Sequence, residues 1–201
     1  MGDRRAPQQL ALVQDLVNTW DIEDDRDAFD DPDGLEEFVA AHGLRGMRLA
    51  AGDLPALREL REALRAACLA HAGCDLPEAT SRTLDAMLAE APLVLAVTAD
   101  GGARLRPAPG LAGAALFASR IAADIAAAAA DGSWQRLKAC EAEDCLWAFY
   151  DRSPAGRGRW CSMQLCGSRA KMRAYRDRRR TGSAGPPHGA GSPDPGSDAP
   201  P

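Results

Sequence analysis

Four of the six cysteines fall in two matched pairs, Cys140/Cys145 and Cys161/Cys166. Each pair encloses four residues, and fifteen residues separate the pairs. A segment this short has little apolar material to bury, so whatever links the four sulfurs limits its fold most. A turn within each pair would bring two sulfurs to one tetrahedral ion, with metal–sulfur bonds of about 2.3 Å. Structural sites usually space such ligands by two to four residues, and both pairs sit at the long end of that range. Four soft thiolates select zinc or an iron–sulfur cluster. The Cys-x-x-Cys runs of ferredoxin-type clusters are absent, which favours zinc. A pair of disulfides is the alternative. The chain starts MGDRRAPQQL with no apolar h-region to mark export. A cytoplasmic, reducing location is therefore expected, where thiols stay free for metal. A site made of four cysteines is closed, hence structural rather than catalytic.

Around the cysteines stand Leu137-Lys138-Ala139-Cys140, then Phe149-Tyr150-Asp151-Arg152-Ser153. Arg159-Trp160-Cys161-Ser162-Met163 and Cys166-Gly167-Ser168-Arg169-Ala170-Lys171 follow. This succession resembles the CGNR zinc finger, whose pattern has an LK-x-C lead-in, an aromatic stretch ending in D-x-S, an R-W-C-S-M run and C-G-N-R-x-K. The name-giving Asn is Ser168 here. Either side chain can cap a turn, so the resemblance still implies zinc, but a contact made by that Asn in relatives does not carry over. The upstream region is similar to the helical ABATE domain of stress-induced transcription regulators, and the whole resemblance spans residues 8 to 180. It implies a bacterial transcription regulator whose helical domain regulates or dimerises.

The net charge of −5 would by itself argue against nucleic acid. Its distribution argues the other way. Residues 1–135 hold 12 Lys/Arg against 22 Asp/Glu, whereas residues 136–180 hold 12 Lys/Arg against 5 Asp/Glu. A basic module on an acidic body is the asymmetry of a polyanion-binding end. No stretch approaches the roughly 20 apolar residues of a membrane span.

Upstream, Leu12, Val13, Leu16, Val17 and Trp20 fall at helical spacing within residues 8–20, with Asn18 and Thr19 as helix-end groups. The next fourteen residues hold seven Asp and one Glu. They lack the order of a Ca²⁺ loop and read as a solvated acidic loop. Asp33 and Glu36 form a capping-box-like pair opening a short helix towards Gly43. Asp53 is the expected N-cap of a longer helix with Leu57, Leu60, Leu64 and Cys68 on one face. His71 and Cys74 read as a helix end plus loop rather than half a metal site. A helix from Pro77 to Glu90 follows. Residues 93–106 then read as a β-hairpin turning at Gly101-Gly102. The Ala-rich run from Gly110 to Ala130 is helical, with Leu111, Phe117, Ile121 and Ile125 as its stripe and Asp131-Gly132 as its stop.

In the finger, Trp147, Phe149, Tyr150 and Trp160 are read as a mini-core over the metal, with base stacking as the alternative. Beyond Cys161 a helix with Ser162 near its N-cap runs towards Arg180. Arg169, Arg173, Arg176 and Arg180 recur at steps of four, three and four. That keeps them within about 60° on one face. With Lys171 they are the candidate nucleic-acid contacts, since a cationic helix leaving a zinc site can meet phosphates.

The expected fold is mainly α. A helical N-terminal domain over 8–132 carries one β-hairpin near 93–106. A treble-clef-like or ribbon-like four-cysteine finger with a basic C-terminal helix follows over 136–180. A disordered Gly/Pro/Ser tail covers 181–201. Loss of a cysteine is expected to unfold the finger and leave the helical domain folded. DNA is the expected partner, and a protein–protein adaptor gripping an acidic partner is the alternative. A small-molecule effector fits the usual two-part layout, although no residue speaks for one. No enzyme is expected: the three histidines, His42, His71 and His188, stand apart from the cysteines, and no nucleophile–base pair is visible.

Overall fold

The apolar spacing after Gln8 forms α1 (Gln8–Val17), which buries Leu10, Leu12, Val13, Leu16 and Val17. The structure, a computed structural model, describes residues 4–182, so the predicted tail lies outside the described residues from 183 onwards. α1 stops before Trp20 because the Thr19 N–H tightens to Leu16 O, three residues back, and the Thr19 hydroxyl donates to the same carbonyl. Trp20 instead begins a two-residue antiparallel ladder, β1 (Trp20–Asp21) with β2 (Arg26–Asp27). The acidic stretch is therefore a small hairpin and not merely a solvated loop. Asp27 in particular is inside, accepting from Arg61 Nη1 at 2.8 Å and Arg58 Nε at 3.2 Å.

α2 (Gly34–Ala41) follows, without the predicted capping box. Asp33 occupies the N-cap position but already has helical backbone angles, φ −95° and ψ −8°, and its side chain makes no cap bond. A capping side chain needs the extended backbone that Asp33 lacks. Asp31 supplies the turn instead, accepting the Asp33 N–H at 3.0 Å.

α3 (Leu54–Ala72) buries Leu57, Leu60, Leu64 and Cys68 as its spacing predicts, and ends at Gly73 with φ +110°. Asp53 stands at its N-cap without bonding it. The Asp53 carboxylate caps a different helix, accepting the Ala114 N–H at 3.0 Å. α4 (Glu78–Ala89) leads to the predicted hairpin, β3 (Leu93–Val97) with β4 (Ala103–Pro107), in which Leu95 faces Leu105.

α5 (Gly113–Ala130) has a mean hydropathy of 1.4 over 18 residues, long and apolar enough to cross a membrane, contrary to the expectation that no stretch comes close. Its Phe117, Ile121 and Ala128 are buried among α1, α2 and α3, and Arg120 pairs with Asp124 on its surface. It is the central helix of the core.

The finger starts with β5 (Leu137–Ala139) paired antiparallel to β6 (Ala148–Tyr150). Leu137, Ala139, Ala148 and Tyr150 belong to the same buried cluster as α1, α3 and α5. The basic module is thus seated in the helical body and shares its core. A π-helical turn, Met163–Gly167, then opens into α6 (Ser168–Gly182), whose side chains from 171 to 180 are all exposed.

Candidate metal centre

β5 delivers Cys140 to the start of a tight knuckle. Its N–H donates to Trp147 O at 3.0 Å, and the N–H groups of Cys145 and Leu146 both close on Ala142 O. Leu146 takes a left-handed backbone, φ +50°, to turn the chain back into β6. The second pair is shaped by Ser162, whose hydroxyl accepts the Leu165 N–H while its carbonyl accepts the Gly167 N–H. This turn presents Cys166 at the threshold of α6. The Glu141 N–H donates to Arg159 O at 3.0 Å and holds the knuckle against the segment before Cys161.

All four predicted cysteines come together, each a free thiol, with their sulfurs within 4.8 Å of one another. Cys145 Sγ lies 3.6 Å from Cys161 Sγ, and Cys161 Sγ lies 3.7 Å from Cys166 Sγ. A tetrahedron with bonds of about 2.3 Å has edges of about 3.8 Å, so the spacing fits a zinc ion and exceeds a disulfide's roughly 2 Å. Crowding sets the electrostatics. The Cys145 and Cys161 thiols donate to Cys140 and push it down to about 2; that same sharing pushes Cys145 up to about 12 and Cys161 up as well. Four thiolates coexist at such distances only around a cation, which a coordinated dication supplies. The residues therefore fit zinc, and Cys140, Cys145, Cys161 and Cys166 would hold it. With four sulfurs there is no open coordination position, and the ion's contribution is to fix the knuckle and the start of α6 in one geometry.

The motif residues around the centre have structural work. Lys138 and Asp151, nearly fully buried, form an ion pair at 3.2 Å. Asp151 also accepts the Ser153 N–H at 3.0 Å and the Gly158 N–H at 2.6 Å, which is why an Asp-x-Ser turn ends β6. The Ser168 hydroxyl donates to Met163 O at 3.2 Å, capping the turn in the place where the family motif has Asn. Of the four aromatics expected over the metal, only Trp160 packs on the cysteines; Tyr150 is buried in the helical core instead, Phe149 is buried outside the cysteine cluster, and Trp147 stays 37% exposed.

The cationic candidates divide. Arg169, Arg173 and Arg176 line one groove, as their spacing predicts. Arg169 Nη1 meets Glu23 at 2.9 Å and Asp144 at 3.6 Å, and Arg173 Nη2 meets Asp144 at 3.3 Å. Arg169 Nη2 also lies 3.8 Å from Cys166 Sγ. Lys171 and Arg176 make no ion pair among the described residues, and Arg180 continues the row on an exposed turn.

The sequence does not mark several residues as holding the site in place. Asn18 and Gln14 reach from α1 to the Ala148 backbone, and Arg65 reaches from α3 to Leu146 O at 2.9 Å. Arg61 and Arg65 are each only 3% exposed and lie over the Trp20 ring. The available signal was their position at i and i+4 within the apolar face of α3. His71, read as a helix-end residue, places Nδ1 2.8 Å from Leu137 O, while Cys74 is exposed and outside the metal cluster.

A mainly helical body carrying a four-cysteine finger and a basic helix defines a zinc-finger protein. Residues 136–179 match the CGNR zinc finger, and residues 10–132 match ABATE, described as "Putative stress-induced transcription regulator". The chain belongs to the ABATE family and carries a CGNR zinc finger. Both are non-enzymatic kinds of domain. No curated protein matches the chain in sequence.

Proposed function

We propose that the chain is a zinc-dependent DNA-binding transcription regulator. The helical body is its regulatory part, and α6 carries the contacts to the phosphate backbone. The observation that carries this reading is α6 itself: it leaves the sulfur cluster as a helix exposed along residues 171–180 and bears six Lys/Arg in that stretch against one acid. Lys171, Arg173, Arg176 and Arg180 would meet phosphates directly. Arg169, held between Cys166 and Glu23, would set the angle at which the helix leaves the metal.

A protein–protein adaptor is the second reading, favoured by the half-exposed Leu165 and Met172, which line the same groove as Arg169, Arg173 and Arg176. Titrating the zinc-loaded chain with random-sequence duplex DNA over a range of salt separates the two. A regulator binds with log affinity falling by about 0.9 for each phosphate neutralised, per unit of log salt. Indifference to DNA at low salt would sink the regulator reading.

A further inference from the structure

The helical body and the finger meet along an open cleft of about 780 Å³. That volume falls within the range of small-molecule sites, which favour such junctions. From α2 comes Phe38 and from just past its end His42, with ring centroids 4.6 Å apart; from the finger come Trp147 and Phe149. Trp147 has no aromatic partner among the described residues and leaves much of its indole open. Trp147 presents the open flat face of the cleft, above the buried Phe38 and Phe149, and a planar ring can stack on it.

The polar groups narrow the choice further. Asp15 is held by Arg5 Nη2 at 2.7 Å and has His42 Nε2 at 3.5 Å. Asp31 is engaged by the Asp33 N–H. Glu37, on an exposed part of α2, is the remaining lining carboxylate. Arg4 and Arg26 also line the cleft, and neither makes an ion pair among the described residues. Arg4 lies over the Phe149 ring at 5.1 Å and gives one N–H to Trp160 O, leaving further donors of its fork. Two guanidiniums without a carboxylate, beside an open aromatic face, match the planar two-oxygen end of an acid.

We propose that this cleft binds a small planar aromatic carboxylate, its ring stacked on Trp147 and its carboxylate on Arg4 and Arg26. Cys161, Ser162 and Leu165 line the same space. An occupant therefore touches the turn from which α6 emerges. An effect on DNA rests on the regulator reading; binding itself does not.

Calorimetric titration of the zinc-loaded full chain with indole-3-acetate, indole and tryptamine tests the proposal, since the three share a ring and differ in charge. Indole-3-acetate is expected to bind at least about tenfold more tightly than the other two, the share of one charge-assisted hydrogen bond. Arg26→Ala, a change at an exposed side chain, is expected to abolish that preference with zinc content and melting unchanged. Equal binding of all three, preference for tryptamine, no binding at millimolar concentration, or a preference that survives Arg26→Ala would each overturn it.

Discussion

Asn18 and Ala148 are joined twice: the Ala148 N–H donates to Asn18 Oδ1 at 2.7 Å, and Asn18 Nδ2 donates to Ala148 O at 3.0 Å. A side chain at the end of α1 thus serves β6 as a neighbouring strand would. Gln14 Nε2 adds a bond to the same carbonyl at 3.1 Å.

Asn18→Ala leaves a buried backbone N–H unpaired and is expected to cost about 2–3 kcal/mol. Because the contact crosses between helical body and finger, both should lose stability together. Circular dichroism melting combined with a thiol-accessibility assay checks this. Loosening of the finger with the helical signal unmoved would show that the bridge holds the finger alone.

Cys166→Ser removes a sulfur from the cluster, and stoichiometric zinc should be lost. Since Leu137, Ala139, Ala148 and Tyr150 sit in the common core, the helical body is expected to soften too. A drop of roughly 10 °C in its melting temperature is anticipated, given the coupling of metal binding to folding. Metal analysis and melting of the variant decide the matter; full zinc content would count against the site.

The Lys138–Asp151 pair predicts a pH dependence. Burial pushes the Asp151 carboxyl up, but the Ser153 and Gly158 N–H groups and Lys138 outweigh it and hold it at about 2. An unfolded Asp titrates near about 3.9, so this contribution is complete above that pH and fades as pH falls towards 2. Lys138→Met leaves a buried carboxylate unpaired and is expected to cost about 3–5 kcal/mol in urea unfolding at pH 7. With its partner gone, Asp151 should protonate at higher pH. The variant's deficit relative to the parent chain should therefore narrow on mild acidification, and a pH-independent deficit would refute the assignment.

Asp144 pairs with Arg173, one of the arginines proposed for DNA, while Glu23 pairs with Arg169, which sets the angle of the helix. Asp144→Asn, which frees Arg173, should raise affinity for random duplex several-fold and steepen its salt dependence. Arg176→Ala should flatten the slope by about 0.9 with zinc retained. Unchanged binding in both variants would remove α6 from the interface.

The metal ligands, the order of the helices, the β3–β4 hairpin and the row of arginines on α6 were legible because each is a local pattern. A zinc knuckle needs two cysteines a turn apart, and a buried helical face repeats every three to four residues. Cys68 could be read as a small hydrophobe on the same ground. Asp27, Arg61 and Arg65 could not, since charged residues normally face water and it is their own pairing, with Glu62, Thr19 and the Val17, Trp20 and Leu146 carbonyls, that makes the burial tolerable. Asp33 and Asp53 illustrate the same limit: both stand where caps belong, yet backbone angles disqualified one and a distant helix claimed the other.

By itself the sequence determined that four sulfurs would meet and that a cationic helix would follow them, because bond geometry and helical periodicity act over a few residues. The tertiary structure alone decided that the finger is seated in the helical core through Asn18, Gln14 and Arg65, and that Glu23 reaches Arg169. Those contacts join residues more than 80 positions apart along the chain, where only the packing of the whole chain chooses the partner.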